Sequence, residues 1–145
     1  MVIRQKMIDE VRPFIGTDIV KVITGIRRCG KSVLMSQIRD VIVSEVDKRA
    51  SIFYLDLDDA ANEKYLKAGV LFKELTALLD KHPNKKTYIF LDEVHDVEGW
   101  EKTVNSIRKR KNADVYITGS NSKMLSGELA TYLTGRYVEF SLTPF

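Results

Sequence analysis

Residues 25–32, GIRRCGKS, match the spacing G-x-x-x-x-G-K-[ST], which places two glycines, a lysine and a hydroxyl side chain in one short segment. In such a segment the backbone N–H groups cradle phosphates, the lysine reaches the β- and γ-phosphates, and the hydroxyl binds Mg²⁺. Here those two side chains are Lys31 and Ser32. The alternative is an ordinary turn that starts a helix and binds nothing. The first interpretation predicts that the nucleotide is contacted by Gly25, Ile26, Arg27, Arg28, Cys29, Gly30, Lys31, Ser32 and Val33.

One position in this loop departs from its common glycine-rich form. Arg28 stands where that form has a further glycine, and a positive φ is unfavourable for an arginine. Arg27 and Arg28 therefore either contact phosphate or point to solvent, and the sequence leaves both interpretations open. Cys29 occupies a free position of the pattern, where we expect a small filler side chain rather than a reactive thiol.

Two adjacent carboxylates, Asp92 and Glu93, follow the apolar run at residues 87–91. The first is suited to hold Mg²⁺ through its water shell, and the second to orient or deprotonate an attacking water. The alternative for such a pair is a solvated strand end. His95, just beyond it, is predicted to be a polar surface residue rather than a ligand.

Further polar candidates follow the apolar run at residues 115–118. Asn121, ahead of Ser120, is placed to hydrogen-bond a γ-phosphate or an attacking water, although this segment also fits a turn with a helix cap. Arg136 precedes the last apolar run and is able to bring a guanidinium to developing negative charge. Taken alone, an arginine at a turn is more often a surface charge.

The basic cluster at residues 108–111 raises the question of nucleic-acid binding. It falls in the last turn of a predicted helix, where cations favour the helix dipole and face water. No zinc-ligand spacing or aromatic platform accompanies it. We therefore predict a solvated helix end.

Apolar runs alternate with segments of helical periodicity along the whole chain. Strands are predicted at residues 19–24, 51–57, 87–91, 115–118 and 137–142. The predicted helices bury Leu34, Ile38, Val41 and Ile42 in the first, Phe72, Leu75, Leu78 and Leu79 in the second, and Trp100, Val104 and Ile107 in the third, with a short fourth helix at residues 125–133. This alternation predicts an α/β fold, a mainly parallel sheet between helical layers. The loops after the first, third and fourth strands should then converge on one crevice.

The composition sets limits on the class of protein. A chain of 145 residues with 44% hydrophobic and 30% charged residues is about one globular domain. Its net charge of +3 permits an anionic ligand without requiring nucleic acid. Cys29 has no partner for an internal disulfide, and no apolar stretch has signal-peptide length or the roughly 20 residues of a membrane span. We expect a cytoplasmic protein with no membrane partner, and a fragment of a longer one, because the sequence stops directly after a strand.

Four segments together resemble the AAA+ domain of a prokaryotic family of ATPases: KVITGIRRCGKSVL at residues 21–34, IFLDEV at 89–94, ITGSN at 117–121 and LTGR at 133–136. The resemblance implies the three-layer P-loop NTPase fold, with a five-stranded sheet in the order 5-1-4-3-2. It implies a Walker A motif at residues 25–32, the Walker B acids Asp92 and Glu93, a sensor at Asn121 or Ser120, and an arginine finger at Arg136. A helical lid and a C-terminal domain normally follow in that family, and neither is contained in residues 1–145.

The function implied is Mg²⁺-dependent binding and hydrolysis of ATP. The implied catalytic residues are Lys31, Glu93, Asn121 and Arg136, and the implied metal ligands are Ser32 and Asp92. The arginine would act from a neighbouring subunit, which implies a homo-oligomer, and the domain without its lid is expected to turn over poorly. The alternative is a non-catalytic switch, in which ATP orders a surface for DNA or a protein partner. A small-molecule kinase requires little motif of its own, but the adjacent acids favour water as the acceptor.

Overall fold

A computed structural model describes residues 5–26, 30–120, 133 and 135–142. Its centre is a sheet of five parallel strands: β1 Val20–Thr24, β2 Ser51–Asp56, β3 Thr87–Asp92, β4 Ala113–Gly119 and β5 Tyr137–Ser141. The strands lie in the order β2-β3-β4-β1-β5. This order and the α/β class are those predicted from the sequence, so both predictions are confirmed.

The burial of each strand follows its place in the sheet. Every residue of β1, β3 and β4 is buried, whereas most residues of the edge strands β2 and β5 are only partly covered. An interior strand of a parallel sheet is covered by helices on both faces, which requires a nearly continuous apolar run. The run at residues 87–91 meets that requirement, and β1 and β4 combine apolar residues with one buried ion pair, between Lys21 and Asp114.

Four α-helices cover the sheet: α1 Gln5–Val11, α2 Lys31–Val41, α3 Val70–Lys81 and α4 Trp100–Arg108. Shorter helical turns lie at Arg12–Phe14, Ala60–Leu66 and Val94–Asp96, and α2 continues into a π-helical turn at Ile42–Val46. None of the helices in the described part of the chain is long and apolar enough to cross a lipid bilayer. The short helix predicted at residues 125–133 lies outside the described residues, apart from its last position.

The apolar face predicted for α3 is wrong at one residue. Leu71, Leu75 and Leu79 are buried at a spacing of four, while Phe72 remains 38% exposed. Because positions 70–72 are all apolar, periodicity left the rotation of the helix ambiguous by one residue. The face predicted for α4, by contrast, is buried as expected, at Trp100, Val104 and Ile107.

Two hydrophobic cores lie on opposite faces of the sheet. Alternate side chains of β3 enter them: Ile89 and Leu91 pack with α3 and α4, and Tyr88 and Phe90 pack with α1 and α2. On the second face the ring of Phe90 stacks on that of Tyr116 with centroids 4.6 Å apart. The sheet is thus packed between two layers of helices, one on each face.

Candidate functional site

The loops that follow β1, β2 and β3 line one crevice at the carboxyl edge of the sheet. Its volume is about 720 Å³, and it is lined by Gly30, Lys31, Ser32, Val33, Asp56, Asp58, Asp92 and Glu93. The sequence predicted that the loops after β1, β3 and β4 would converge there. Residues that follow β1 and β3 line the crevice, whereas most of the loop after β4 lies outside the described residues. The contribution of Asp56, which ends β2, and of Asp58, in the loop after it, was not predicted.

Lys31 begins α2 and closes the loop back onto the end of β1. Its Nζ donates a hydrogen bond to the carbonyl oxygen of Gly25 at 2.8 Å and lies 3.1 Å from Oε1 of Glu93. The side chain is only 4% exposed, so the ammonium requires such partners. Gly30, which precedes the helix, has φ of +96°, a conformation that favours glycine. The second glycine of the pattern is therefore explained by the backbone turn.

Asp92 ends β3 and is held by three hydroxyl groups. Oδ2 accepts hydrogen bonds from Ser32 at 2.6 Å and from the phenol of Tyr54 at 3.4 Å. Oδ1 accepts one from Thr118 at 2.6 Å. The residue is only 3% exposed, and the three hydrogen bonds offset the free-energy cost of burying its carboxylate. Residues from α2, β2 and β4 thus fix its orientation.

The phenol of Tyr54 is a stable donor to this carboxylate. Burial raises the pKa of Tyr54, and the neighbouring charge of Asp92 raises it further. The guanidinium of Arg39 lies over the ring, 5.7 Å from its centroid. Tyr54 therefore remains a neutral O–H group at physiological pH and cannot repel Asp92.

Burial also raises the pKa of Asp56, which stands beside Asp92 in the register of β2 on β3. A hydrogen bond from the backbone N–H of Asp58 to Asp56 Oδ1 opposes this shift, and the charge of Asp92 adds to it. The net shift is upward. Asp56 and Asp58 thus bring carboxyl groups to the same crevice as the ammonium of Lys31.

Glu93 has a left-handed backbone, with φ of 56° and ψ of 53°. Such a conformation is unfavourable for a residue with a side chain. Its N–H donates to Oγ1 of Thr118 at 2.9 Å, and that same hydroxyl donates to Asp92. Thr118 therefore connects the two acidic residues and holds the turn that directs Glu93 into the crevice.

His95 is not the surface residue that the sequence predicted. It lies in the helical turn Val94–Asp96, and its side chain is 9% exposed. Nδ1 lies 3.4 Å from Oε2 of Glu93, but the two atoms are not aligned for a hydrogen bond, and Nδ1 has no hydrogen-bond partner among the residues that the structure describes. Nε2 lies 3.8 Å from Oδ2 of Asp96. The prediction was wrong because the turn after β3 folds the imidazole back against Glu93.

Arg136 lies at the opposite edge of the sheet from this crevice. Its carbonyl oxygen accepts a hydrogen bond from the N–H of Val20, the first residue of β1, and Nη1 lies 3.8 Å from Oδ2 of Asp18. The crevice begins beyond the last residue of the same strand, roughly 13 Å away at about 3.3 Å per residue. Arg136 therefore does not contribute to the crevice of its own chain. Action from a neighbouring chain stays a prediction.

Several predicted site residues lie outside the described part of the chain: Arg27, Arg28, Cys29 and Asn121. Gly25 is buried at the end of β1, and Ile26 is 58% exposed. Val33 lines the crevice and is 40% exposed. Ser120 is half-buried directly after β4.

The basic cluster at residues 108–111 is not one solvated surface. Arg108 is buried, and its Nε donates to Oδ1 of Asn105 at 2.9 Å. Arg110 forms an ion pair with Asp80 on α3. The prediction of a solvated helix end is therefore wrong at Arg108, and only Lys109 and Lys111 are exposed. This arrangement reduces the basic surface available to a nucleic acid.

Curated relatives are found in bacteria and archaea. An uncharacterised protein of Haemophilus influenzae is 41% identical over 146 aligned residues, which cover 99% of this chain and 36% of that protein. An uncharacterised protein of Methanocaldococcus jannaschii is 32% identical over 128 residues, covering 86% of this chain and 26% of that protein. The chain thus spans about a third or less of the length of these relatives.

Solved structures with the same fold are much more distant in sequence. PCH-2 of C. elegans has a TM-score of 0.65 at 15% identity, covering 97% of this chain and 40% of that chain. A Trip13 from Rhizobiales has a TM-score of 0.57 at 16% identity, and the match covers 90% of this chain and 48% of that chain. Drosophila ORC, solved with AT-rich DNA and Cdc6, has a TM-score of 0.52 at 7% identity, and the match covers 97% of this chain and 58% of that chain. At these identities the likeness is one of fold.

The family itself is established by a match over almost the whole sequence. The model of an AAA domain, AAA_14, matches residues 17–145, a range that contains every residue of the crevice. The chain therefore belongs to this AAA domain family and is a nucleotide-binding domain of the P-loop ATPase type.

Proposed function

We propose that this domain binds ATP with Mg²⁺ and hydrolyses it to ADP and phosphate. The observation that carries the proposal is the 2.6 Å hydrogen bond from Ser32, at the start of α2, to Asp92, at the end of β3. It joins the segment suited to phosphate with the segment suited to a metal ion. Lys31 and Glu93, the neighbours of these two residues, are themselves only 3.1 Å apart.

The phosphates would lie against the loop at residues 25–30 and the N-terminus of α2. Backbone N–H groups and the helix dipole favour an anion there. Lys31 would donate to the β- and γ-phosphates, for which it must exchange its contact with Glu93. The Lys31 side chain is already buried at the start of α2, so little side-chain freedom remains to be lost on binding.

The oxygen donors at the crevice fit Mg²⁺. Ser32 provides a hydroxyl and Asp92 a carboxylate oxygen next to it, and Mg²⁺ prefers oxygen ligands, many of them water or phosphate. Among the residues that the structure describes, no group of three or more His, Cys, Asp or Glu side chains is arranged to hold a metal by itself. The remaining ligands would therefore be waters and phosphate oxygens. When bound, the ion would neutralise charge on the phosphates.

Glu93 is the proposed base. Its carboxylate would accept a proton from water as the water oxygen forms a bond to the γ-phosphorus, and the bond from that phosphorus to the bridging oxygen of ADP breaks. The bonding electrons leave with ADP, and the proton later passes to solvent. Lys31 would offset the negative charge on the phosphoryl oxygens. Asn121 would hold the water or the γ-phosphate, in keeping with its place two residues after β4.

Arg136 would act on the site of a neighbouring copy of the chain. It is 57% exposed at the edge of the sheet opposite its own crevice, so a second molecule can reach it. This proposal makes the active form an oligomer. Residues 1–145 would be the nucleotide-binding part of a cytoplasmic protein whose remaining length supplies the lid and a domain that engages partners.

A second candidate, a non-catalytic switch, is supported by the contacts already present in the crevice. Binding of phosphates requires the Lys31–Glu93 and Ser32–Asp92 contacts to rearrange, so ATP binding alone would change the side-chain contacts between the start of α2 and the end of β3. Such a change is able to order a surface for DNA or a protein partner without turnover. The two candidates differ in whether phosphate is released.

The test compares the longer protein that contains this domain with its Glu93→Gln variant. The glutamine retains the size of the side chain but cannot accept the proton, so we expect ATP binding within about twofold of the wild type and phosphate release at least roughly a hundredfold slower. Glu63→Gln, at an exposed position outside the crevice, is the control. Equal phosphate release by the Glu93→Gln variant would contradict the role of Glu93, and ATP binding without any release by the wild type would favour the switch.

A further inference from the structure

We propose that His95 is a positioning residue for Glu93: its Nδ1–H holds one carboxylate oxygen of Glu93 when nucleotide phosphates have taken Lys31 away from the other. This inference rests on the proposed hydrolysis of ATP. It assigns to His95 a role for which its sequence neighbourhood gave no indication.

The geometry places Glu93 between two nitrogen groups. Oε1 lies 3.1 Å from the ammonium of Lys31, and Oε2 lies 3.4 Å from Nδ1 of His95. The two contacts use different oxygens, so losing one does not require losing the other. When phosphate replaces Glu93 at Lys31, Oε1 becomes available to water and His95 is the neighbour that remains.

The burial of His95 indicates that its imidazole has a specific role and does not only fill space. Its side chain is 9% exposed, and Nδ1 has no hydrogen-bond partner within the described part of the chain. Buried polar atoms are nearly always paired, and an exception requires an explanation. Oε2 of Glu93 lies 3.4 Å from Nδ1, so it is within reach of this unpaired nitrogen.

The backbone limits how far Glu93 can move. Its left-handed φ of 56° is held by the hydrogen bond from its N–H to Thr118, and His95 follows in the rigid turn Val94–Asp96. The turn keeps the imidazole and the carboxylate adjacent whether or not Lys31 is engaged. His95 therefore orients Glu93 without touching the nucleotide, which makes it a positioning residue.

The first test uses three substitutions in the longer protein. Asparagine places an amide nitrogen near the position of Nδ1, glutamine places it near Nε2, and alanine removes both. We expect His95→Ala and His95→Gln to lower kcat by about tenfold to a hundredfold, which is the effect of removing a group that orients a metal ligand. The kcat of His95→Asn should stay within about threefold of the wild type, because its amide retains the donor. The Kd for ATP should not change by more than about twofold in any of them, because Lys31 and Ser32 are intact.

The second test does not depend on turnover. ¹⁵N NMR of the histidine ring, recorded with a non-hydrolysable ATP analogue and Mg²⁺, reports which nitrogen carries the proton. We expect a hydrogen-bonded proton on Nδ1 in the wild-type complex and its loss in Glu93→Ala. An Nδ1 without a proton in the complex, or an equal loss of kcat in His95→Asn and His95→Ala, would overturn the proposal.

These measurements separate the two proposals. If the wild-type protein does not hydrolyse ATP, only the proposed hydrolysis is contradicted. The NMR experiment then still decides whether His95 holds Glu93. Normal turnover in all three His95 variants would overturn the positioning role and leave the proposed hydrolysis intact.

Discussion

The hydroxyl of Thr118 lies 2.6 Å from Oδ1 of Asp92, and Thr118 is completely buried. Oγ1 of Thr118 also accepts a hydrogen bond from the N–H of Glu93 at 2.9 Å. One side chain of β4 thus fixes both the carboxylate that ends β3 and the backbone of the turn that follows. Thr118 therefore orients the acidic residues of the crevice, although it is not itself one of the lining residues.

Replacing Thr118 by valine should therefore destabilise the domain. The substitution keeps the shape but leaves the Glu93 N–H without its acceptor and Asp92 without one donor, so we expect a loss of about 2 kcal/mol in the free energy of unfolding. Urea denaturation measures this. Thr118→Ser keeps the hydroxyl and loses only a buried methyl group, for a cost of about 1 kcal/mol. A valine variant as stable as the wild type would show that the two hydrogen bonds contribute nothing.

Removing the hydroxyl of Ser32 should weaken nucleotide binding only when Mg²⁺ is present. In Ser32→Ala the metal loses a ligand, so we expect Mg²⁺–ATP to bind roughly tenfold more weakly, a difference of about 1.4 kcal/mol. The binding of ATP in the presence of EDTA should change little. Calorimetric titration under both conditions measures the difference. Ser32→Thr retains the hydroxyl and should bind like the wild type. Equal weakening with and without metal would argue against Ser32 as a ligand.

A second buried charge cluster, far from the crevice, should be important for stability. Nζ of Lys21 forms an ion pair with Asp114, and both side chains are fully buried near the amino ends of β1 and β4. Asp114 also accepts from the N–H of Gly16 and the hydroxyl of Tyr116. Burial lowers the pKa of Lys21, and the charge of Asp114 opposes that shift.

Breaking this buried pair should cost about 3–5 kcal/mol in the free energy of unfolding, because Lys21→Met leaves a carboxylate without its counter-ion. The double variant Lys21→Met/Asp114→Leu should recover much of the loss, and denaturation of the four proteins gives the coupling energy. Asp9→Asn, which breaks an exposed pair with Arg12, is the control and should cost less than about 1 kcal/mol. A Lys21 variant no less stable than this control would contradict the assignment.

Arg136 should affect turnover in the assembled protein without affecting ATP binding by a single chain. It lies at the edge of the sheet opposite its own crevice, so Arg136→Ala should leave the Kd unchanged and lower kcat by about a hundredfold or more. Arg110→Ala is the matched control, because it also removes an arginine, one that forms an ion pair with Asp80. Weaker ATP binding in the Arg136 variant at concentrations where the protein is monomeric would contradict action from a neighbour.

Much of the fold was predictable because each interior strand is a separate apolar run that ends in polar residues. That pattern depends only on neighbours in sequence. The rotation of α3 was less well determined, since Leu71 and Phe72 are adjacent apolar residues and only packing decides which of them is buried.

The site was predictable where its residues are adjacent in sequence and not where they meet across strands. Lys31 with Ser32, and Asp92 with Glu93, follow from local spacing. The contacts of Tyr54 and Thr118 with Asp92 depend on the register of β2 and β4 against β3, which periodicity does not determine. His95 was missed for a related reason, because a short turn rather than its residue type buries it.

Lys31 is proposed to bind the phosphates of ATP in the crevice that it shares with Asp92. Isothermal titration of Mg²⁺–ATP into the wild type, into Lys31→Ala and into the exposed-site control Lys73→Ala measures its contribution. Binding by the wild type and the control, with at least about a hundredfold weaker binding by Lys31→Ala, is the expected result, since the loss of a charge-assisted contact to phosphate is large. Equal affinity in all three proteins would contradict the claim.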